Sequence, residues 1–235
     1  MRQRKADIAI VQDNRSGRLS YWQASDHHSV ADRFGISLAP YIHALFGLLA
    51  QKRSHRVLII GCGGGSLATM LARDGVAVTL LDVDPRAFDI AWRYFHMPVS
   101  VECQIADGAR FLRRNPGRFD AIVLDAFTEG RIPRHFLTPA FHRLAKSRLR
   151  RGGMILINMI VRESDDPLFS AVTKALAPLW RYHRLLDMKS SKDRNVIVAA
   201  GAVRGLKAPR LRIKPATGAR TLADHLAGYF FRPLR

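Results

Sequence analysis

From Val57 onward, short apolar runs alternate with amphipathic stretches. Val57–Ile60, Ala77–Leu81, Val99–Ile105, Phe119–Leu124 and Met154–Ile160 are rich in β-branched residues, the mark of strands covered on both faces. Between them Ser66–Arg73, Pro85–Tyr94, Gly108–Arg114, Pro139–Leu149 and Pro167–Leu176 carry their apolar residues on one side and predict helices, three of them opened by proline. Arg151-Gly152-Gly153 reads as the turn that closes the fourth of these. Trp180–Leu186 and Val196–Ala200 read as a closing pair of strands, turned by Lys189 to Arg194. The pattern predicts an α/β fold: a Rossmann-like, doubly wound, mostly parallel sheet with an antiparallel edge pair. Ahead of it, Ala6–Gln12 and Arg18–Trp22 flank Asp13-Asn14-Arg15-Ser16-Gly17 and predict a small N-terminal β-hairpin. A loop with Asp26, His27 and His28 then leads to a helix over Pro40–Leu49. After Gly201 the chain is basic and proline-bearing until Arg220, and a short helix over Thr221–Phe230 is expected to dock Leu222, Leu226 and Phe230. The segments are 1–50, 51–201 and 202–235.

The strand tips carry the chemistry. Ligands of open α/β sheets sit at the carboxyl ends of the strands, where strand order reverses. The first strand runs into Gly61-Cys62-Gly63-Gly64-Gly65-Ser66, and the second ends on Asp82 about 20 residues further on. Gly61, Gly63 and Gly65 let the backbone turn sharply and approach a ligand closely. Asp82 suits the two hydroxyls of a ribose. Asp84 precedes Pro85 and reads as a helix N-cap. Asp107 and Gly108 follow the third strand; Asp107 suits an adenine amino group and also a helix cap. Asp125 ends the fourth strand, where a carboxylate can take a proton from an attacking amine. Asn158 lies near the end of the fifth, whereas Asp120 begins the fourth and belongs to the far edge. A nicotinamide dehydrogenase would carry Gly-x-Gly-x-x-Gly, and here the third position is Ser66.

Charge and cysteine count narrow the classes further. The 235 residues carry a net charge of +19, from 38 Lys and Arg against 19 Asp and Glu. Val203 to Arg220 holds six basic residues and no acid, which leaves nucleic acid open as a partner of the tail, beside the plainer reading of a solvated basic surface. The two cysteines, Cys62 and Cys103, have no metal-ligand spacing and make no disulfide framework. Metal is not expected. No stretch reads as a membrane span or a signal peptide, so a cytoplasmic protein is expected.

Val57–Leu67, Leu80–Pro85, Ala106–Phe111, Phe119–Thr138 and Arg151–Asn158 together resemble the spermidine synthase (polyamine aminopropyltransferase) family, above all in Leu124-Asp125-Ala126-Phe127, Ile132-Pro133 and Phe136-Leu137-Thr138. The resemblance runs from Tyr41 to Ala200 and implies decarboxylated S-adenosylmethionine as donor and an amine as acceptor. It implies Asp82 on the ribose, Asp107 near the adenine and Asp125 as base. It also implies that Tyr41, Thr128 and Glu129 meet the acceptor. Gly64 stands where the family carries an aspartate, and Thr128 where it carries a second one. Those departures keep a second reading open, a methyltransferase on the same scaffold using intact S-adenosylmethionine. A third is a non-catalytic nucleotide-binding protein. A homodimer is left open.

Overall fold

The computed structural model describes residues 8–23, 26–161, 166–189 and 193–234, without the side chains of 26 and 27. The basic N-terminus, Ala6, residues 190–192 of the expected turn and the side chains of Asp26 and His27 lie outside it. Strands β1 (Ile8–Gln12), β2 (Leu19–Gln23) and β3 (Asp26–Ala31) form a small antiparallel sheet in the order β1-β2-β3. The expected hairpin is therefore extended: the stretch anticipated as a loop at Asp26–His28 is strand. The reason is pairing, since β2 has a free edge that Ser29, Val30 and Ala31 satisfy opposite Tyr21, Ser20 and Leu19. Leu19, Tyr21 and Ala31 pack with Ile90 and Phe95 of the main body.

The large sheet contains β4 (Arg56–Ile60), β5 (Ala77–Asp82), β6 (Glu102–Ile105), β7 (Phe119–Leu124), β8 (Leu149–Val161), β9 (His183–Met188), β10 (Arg194–Gly201) and β11 (Tyr229–Arg232). Their order is β11-β9-β10-β8-β7-β4-β5-β6. The five strands from β6 to β8 are parallel, and β10, β9 and β11 add antiparallel pairs. The chain winds outward from β4 to β6, then returns to lay β7 on the other side of β4. The switch point is therefore between β4 and β7.

Alternation along the strands divides the core. Val57, Ile59, Ala121 and Val123 face one layer, with α1 (Pro40–Gln51), α2 (Ser66–Arg73), α3 (Pro85–Arg93) and α7 (Ala219–Ala227). Leu58, Ile60, Ile122 and Leu124 face the other, with α4 (Gly108–Arg114), α5 (Pro139–Ser147) and α6 (Pro167–Leu176). Each such fully buried Val, Leu or Ile side chain contributes about 1.5–3 kcal/mol, which explains why the runs are continuous rather than alternating.

Three boundaries differ from expectation. The third parallel strand is short, because Val99 is exposed and pairing starts at Glu102. Strand β8 starts at Leu149, so the glycine pair expected as a turn lies inside it. There Gly152 takes φ +81°, and a Cβ on Gly153 would stand 2.9 Å from the Asp120 carbonyl; the pair makes the bulge between Phe119 and Ala121 possible. The C-terminal helix stops at Ala227, and the next residues pair with the open edge of β9. Tyr229 is buried in place of Phe230, which is 38% exposed.

That added strand is locked by charge. Asp187 on β9 accepts from the Arg194 Nε at 2.8 Å and the Arg232 Nε at 2.9 Å, bridging three strands. Burial opposes the charge on Asp187, yet the two guanidiniums and the Met188 amide hold its carboxyl below the usual range. Its contribution is present above the ordinary carboxylate pKa and is lost as pH falls through the depressed one. Asp187→Ala leaves Arg194 buried without its carboxylate and is expected to cost about 3–5 kcal/mol at pH 7. Urea unfolding checks this; an unchanged midpoint contradicts it.

Candidate cofactor and acceptor site

Adjacent strand tips bring the carboxylates together. Gly61 donates its amide to the Leu81 carbonyl at 2.8 Å, the Ala106 amide donates to the Asp82 carbonyl at 2.9 Å, and the Asp125 amide donates to the Ile60 carbonyl at 2.8 Å. The segments leading to Asp107, Asp82, the glycine loop and Asp125 thus line one edge of the sheet, in that order.

The glycines of the loop are set by close packing against other segments of the chain. Gly61 (φ +104°) lies so close to Asp125 that a Cβ would fall 2.2 Å from its carbonyl oxygen. Gly63 and Gly65 also have positive φ. Gly65 ends the turn and α2 starts at Ser66, so the free amides of that helix point toward the edge. Asp82 holds the loop: one carboxylate oxygen accepts from the Cys62 amide at 2.8 Å, the other from the Asp84 amide at 2.9 Å. Each oxygen keeps a second lone pair for a ligand hydroxyl. Cys62 is held in the same turn, and burial first, then Asp82, raises its thiol well above the usual range, so it stays protonated and unreactive.

Asp107 caps α4, accepting from the Arg110 amide at 2.9 Å, and its other oxygen meets the His135 Nε2 at 2.8 Å. A groove of about 660 Å³ opens here, with Asp107, Ala109, Arg113, His135, Thr138 and Phe141 in its wall. Gly108 has a packing reason of its own, since a Cβ would come within 2.7 Å of Ile60. Asp84 caps α3 through the Arg86 amide. Asp120 accepts from the His55 and Arg56 amides at the opposite end of the sheet, as the sequence implied.

Asp125 is the most perturbed carboxyl of the site. Burial pushes it up to about 7, against the pull of one hydrogen bond from the Asn158 Nδ2 at 2.7 Å. Asn158 in turn accepts from the Asn195 Nδ2 at 3.1 Å. This relay across β7, β8 and β10 fixes which end of the Asn158 amide faces Asp125. Tyr41, at the first turn of α1, feels the Asp125 charge; burial first, then Asp125 and Tyr229, raises its phenol well above the usual range. Thr128 and Glu129 are exposed at a tight turn, where Thr128 and Arg131 exchange backbone bonds and Glu129 and Gly130 both have positive φ. Strand β3 covers the glycine loop: the Gly64 amide donates to the Ser29 Oγ at 2.7 Å. A Cβ at Gly64 would lie 3.0 Å from both Ser29 and Phe95. His28 stacks against Tyr21 at 5.2 Å, and among the described residues no His, Cys, Asp or Glu cluster could hold a metal.

His135, Asn195 and Ser29 escaped the sequence reading. His135 lies within the Ile132–Thr138 segment that carries the resemblance but was not singled out there, and Ser29 and Asn195 reach the site from strands outside every motif. The nearest signal was Asn158 at its strand tip, which demands a polar neighbour on the next strand.

A family model described as a methyltransferase domain matches residues 57–153. A polyamine aminopropyltransferase of Vibrio vulnificus is 35% identical over 127 residues, 51% of this chain and 42% of that protein. The chain thus spans less than half the length of that curated relative. Among solved structures, a probable spermidine synthase from Corynebacterium glutamicum superposes with a TM-score of 0.79 at 14% identity, covering 97% of this chain and 87% of that one. A spermidine synthase in complex with the transition-state analogue AdoDATO gives 0.62 at 20% identity, over 83% and 70%. No helix among the described residues is long and apolar enough to cross a membrane. With the strand order, the glycine turn and the row of carboxylates along the same edge of the sheet, these likenesses identify the fold as that of the class I S-adenosylmethionine-dependent transferases in its spermidine synthase-like form.

Proposed function

We propose that this protein is a cytoplasmic S-adenosyl-cofactor-dependent transferase that passes an alkyl group, the aminopropyl group in the first instance, to a small amine. The observation that carries the reading is Asp125: a carboxyl at the switch point whose pKa of about 7 suits a base at neutral pH. When bound, the cofactor supplies a carbon made electrophilic by its sulfonium. The chain supplies position and a proton acceptor. Asp82 holds the ribose hydroxyls, Asp107 and His135 meet the adenine edge, and Tyr41 borders the acceptor. The Asn158 amide holds Asp125 toward the acceptor nitrogen, whose proton it takes. Most of the rate comes from alignment.

The sign of the pH dependence follows. A base works deprotonated, so kcat/KM is expected to rise with pH through about 7 and level off above it. Removing the outer donor by Asn195→Leu frees the Asn158 amide to turn its oxygen toward Asp125. The acid limb then moves up by about 1 pH unit, because a hydrogen bond to a charged group contributes about 1.5–3 kcal/mol and a pKa unit is about 1.4. A pH–rate profile reads it, and Asn195→Ser, which keeps a donor, restores the limb in part. An unmoved limb removes the relay and leaves Asp125 as base.

A second reading, methyl transfer from intact S-adenosylmethionine, has one specific observation behind it. Gly64 has no side chain, and Ser29 and Phe95 occupy the space an acid there would need. A cationic aminopropyl tail thus finds no carboxylate at that position. Calorimetry with S-adenosylmethionine, its decarboxylated form and methylthioadenosine decides between them. Preference for the decarboxylated donor supports aminopropyl transfer, preference for the intact one supports methyl transfer, and binding of none removes both.

A further inference from the structure

The segment between β10 and α7 is a fixed strap, not a loose tail. Val203, Leu206, Pro209 and Pro215 are buried. Pro209 lies where a Cβ on Gly47 of α1 would come within 2.9 Å. The Gln51 side chain clasps the Lys207 backbone twice, at 3.0 and 2.9 Å. Arg184 donates to the Leu206 carbonyl at 2.6 Å, and the Ala216 amide donates to Asp32 at 2.7 Å. The strap therefore runs along α1 from Gln51 back to the turn that precedes Tyr41.

All of its cations face water. Arg204, Lys207, Arg210, Arg212, Lys214 and Arg220 are exposed, and among the described residues none has a carboxylate within 4.0 Å. From Pro209 to Pro215 burial alternates residue by residue, with Leu211 and Ile213 turned inward between Arg210, Arg212 and Lys214. The chain bends at Ile213, and the three cations stay on its outer, exposed side. At the near end stands an exposed aromatic ring: Tyr182 has the Arg181 guanidinium 5.3 Å and the Arg204 guanidinium 5.6 Å from its centroid.

We propose that this strap is a docking surface for single-stranded nucleic acid, with Arg210, Arg212 and Lys214 against its phosphates and Tyr182 stacking on a base. A duplex hides its base faces, whereas a single strand offers them to an aromatic ring. The strap is ordered before it binds, so contact does not carry the entropic cost of a floppy basic tail. This inference is independent of the proposed reaction; it concerns the outer face of α1.

The test is fluorescence anisotropy of the full chain with a labelled oligo-dT of about 20 nucleotides over a salt series, a length that spans one binding groove. The parent should bind with a log–log salt slope that Arg210→Ala/Arg212→Ala/Lys214→Ala reduces by about 2, since each phosphate contact on a single strand contributes about 0.7. Thermal unfolding should be unchanged, because none of the three is a buried anchor. Tyr182→Ala should weaken oligo-dT about tenfold and leave heparin binding unaltered. The control Arg114→Ala/Arg143→Ala/Arg151→Ala removes equal charge, two of its three residues coming from helices α4 and α5 of the opposite layer, and should leave the slope in place. The proposal is overturned by any of three results: no binding at low salt, a control that lowers the slope as much as the strap variant, or duplex DNA bound as tightly as oligo-dT with Tyr182→Ala without effect.

Discussion

Asp125→Asn is expected to lower turnover by about 10²–10⁴-fold while donor affinity stays as it was, because a positioned base contributes that much and asparagine keeps the shape. The side chain still offers Asn158 an oxygen to bond, so the relay survives and only the proton acceptor is gone. The same substitution carries a second signature of opposite sign. Asp125 has a folded-state pKa of about 7, raised by burial above the ordinary carboxylate value. A group with that shift holds its proton more firmly in the folded state, so folding loses stability as pH rises from about 4 to about 7. A neutral amide at 125 does not titrate. The variant is therefore expected to unfold at a higher temperature than the parent at pH 8 and to show no such advantage at pH 4. Steady-state kinetics with a thermal unfolding curve at both pH values check the pair. Lost activity together with gained stability separates a missing base from a damaged fold. Turnover like the parent's removes Asp125 from the reaction, whatever the unfolding shows.

The parallel core was legible because burial on both faces leaves one sequence solution: continuous β-branched runs such as Ala121–Leu124, punctuated by glycine or acid at the tip. Asp82 and Asp125 each end a run of that kind, Asp107 follows the short mixed strand Glu102–Ile105, and strand winding brings their segments to one edge. What the sequence did not disclose depends on edges. Strand β3 forms because β2 had unpaired backbone groups, and β11 forms because β9 did; neither has a strong pattern of its own, and β3 even contains adjacent histidines. The packing of the basic segment was hidden in the sequence for a related reason. Its anchors are every other residue, Pro209, Leu211, Ile213 and Pro215, and an alternating apolar half hidden among arginines reads as charge. His135 and Asn195 entered the site through tertiary contact, one beside Asp107 and one behind Asn158; the first stands in the Ile132–Thr138 segment, whose pattern does not say what it touches, and the second in no motif.

Asp82→Ala is expected to weaken the adenosine-type ligand by about 100-fold, through two losses that add. The first is direct: two hydrogen bonds from ribose hydroxyls to a charged acceptor, each contributing about 1.5–3 kcal/mol, with part of that returned by water entering the gap. The second is the loop itself. Asp82 accepts from the Cys62 and Asp84 amides, so it ties the glycine turn to the start of α3. Removing it leaves two half-buried amides without their acceptor and lets Gly61–Gly65 explore other turns, which glycine permits more readily than any other residue. Asp82→Asn separates the two losses. One amide oxygen can still take the Cys62 or the Asp84 N–H, but the NH₂ group then faces the other donor. Its affinity should fall between those of the parent and the alanine variant. Calorimetry with methylthioadenosine, which carries the ribose and lacks the transferable group, reads the effect without turnover. A dissociation constant untouched by alanine means that the ribose does not meet Asp82, and the glycine turn would then need another ligand to explain its shape.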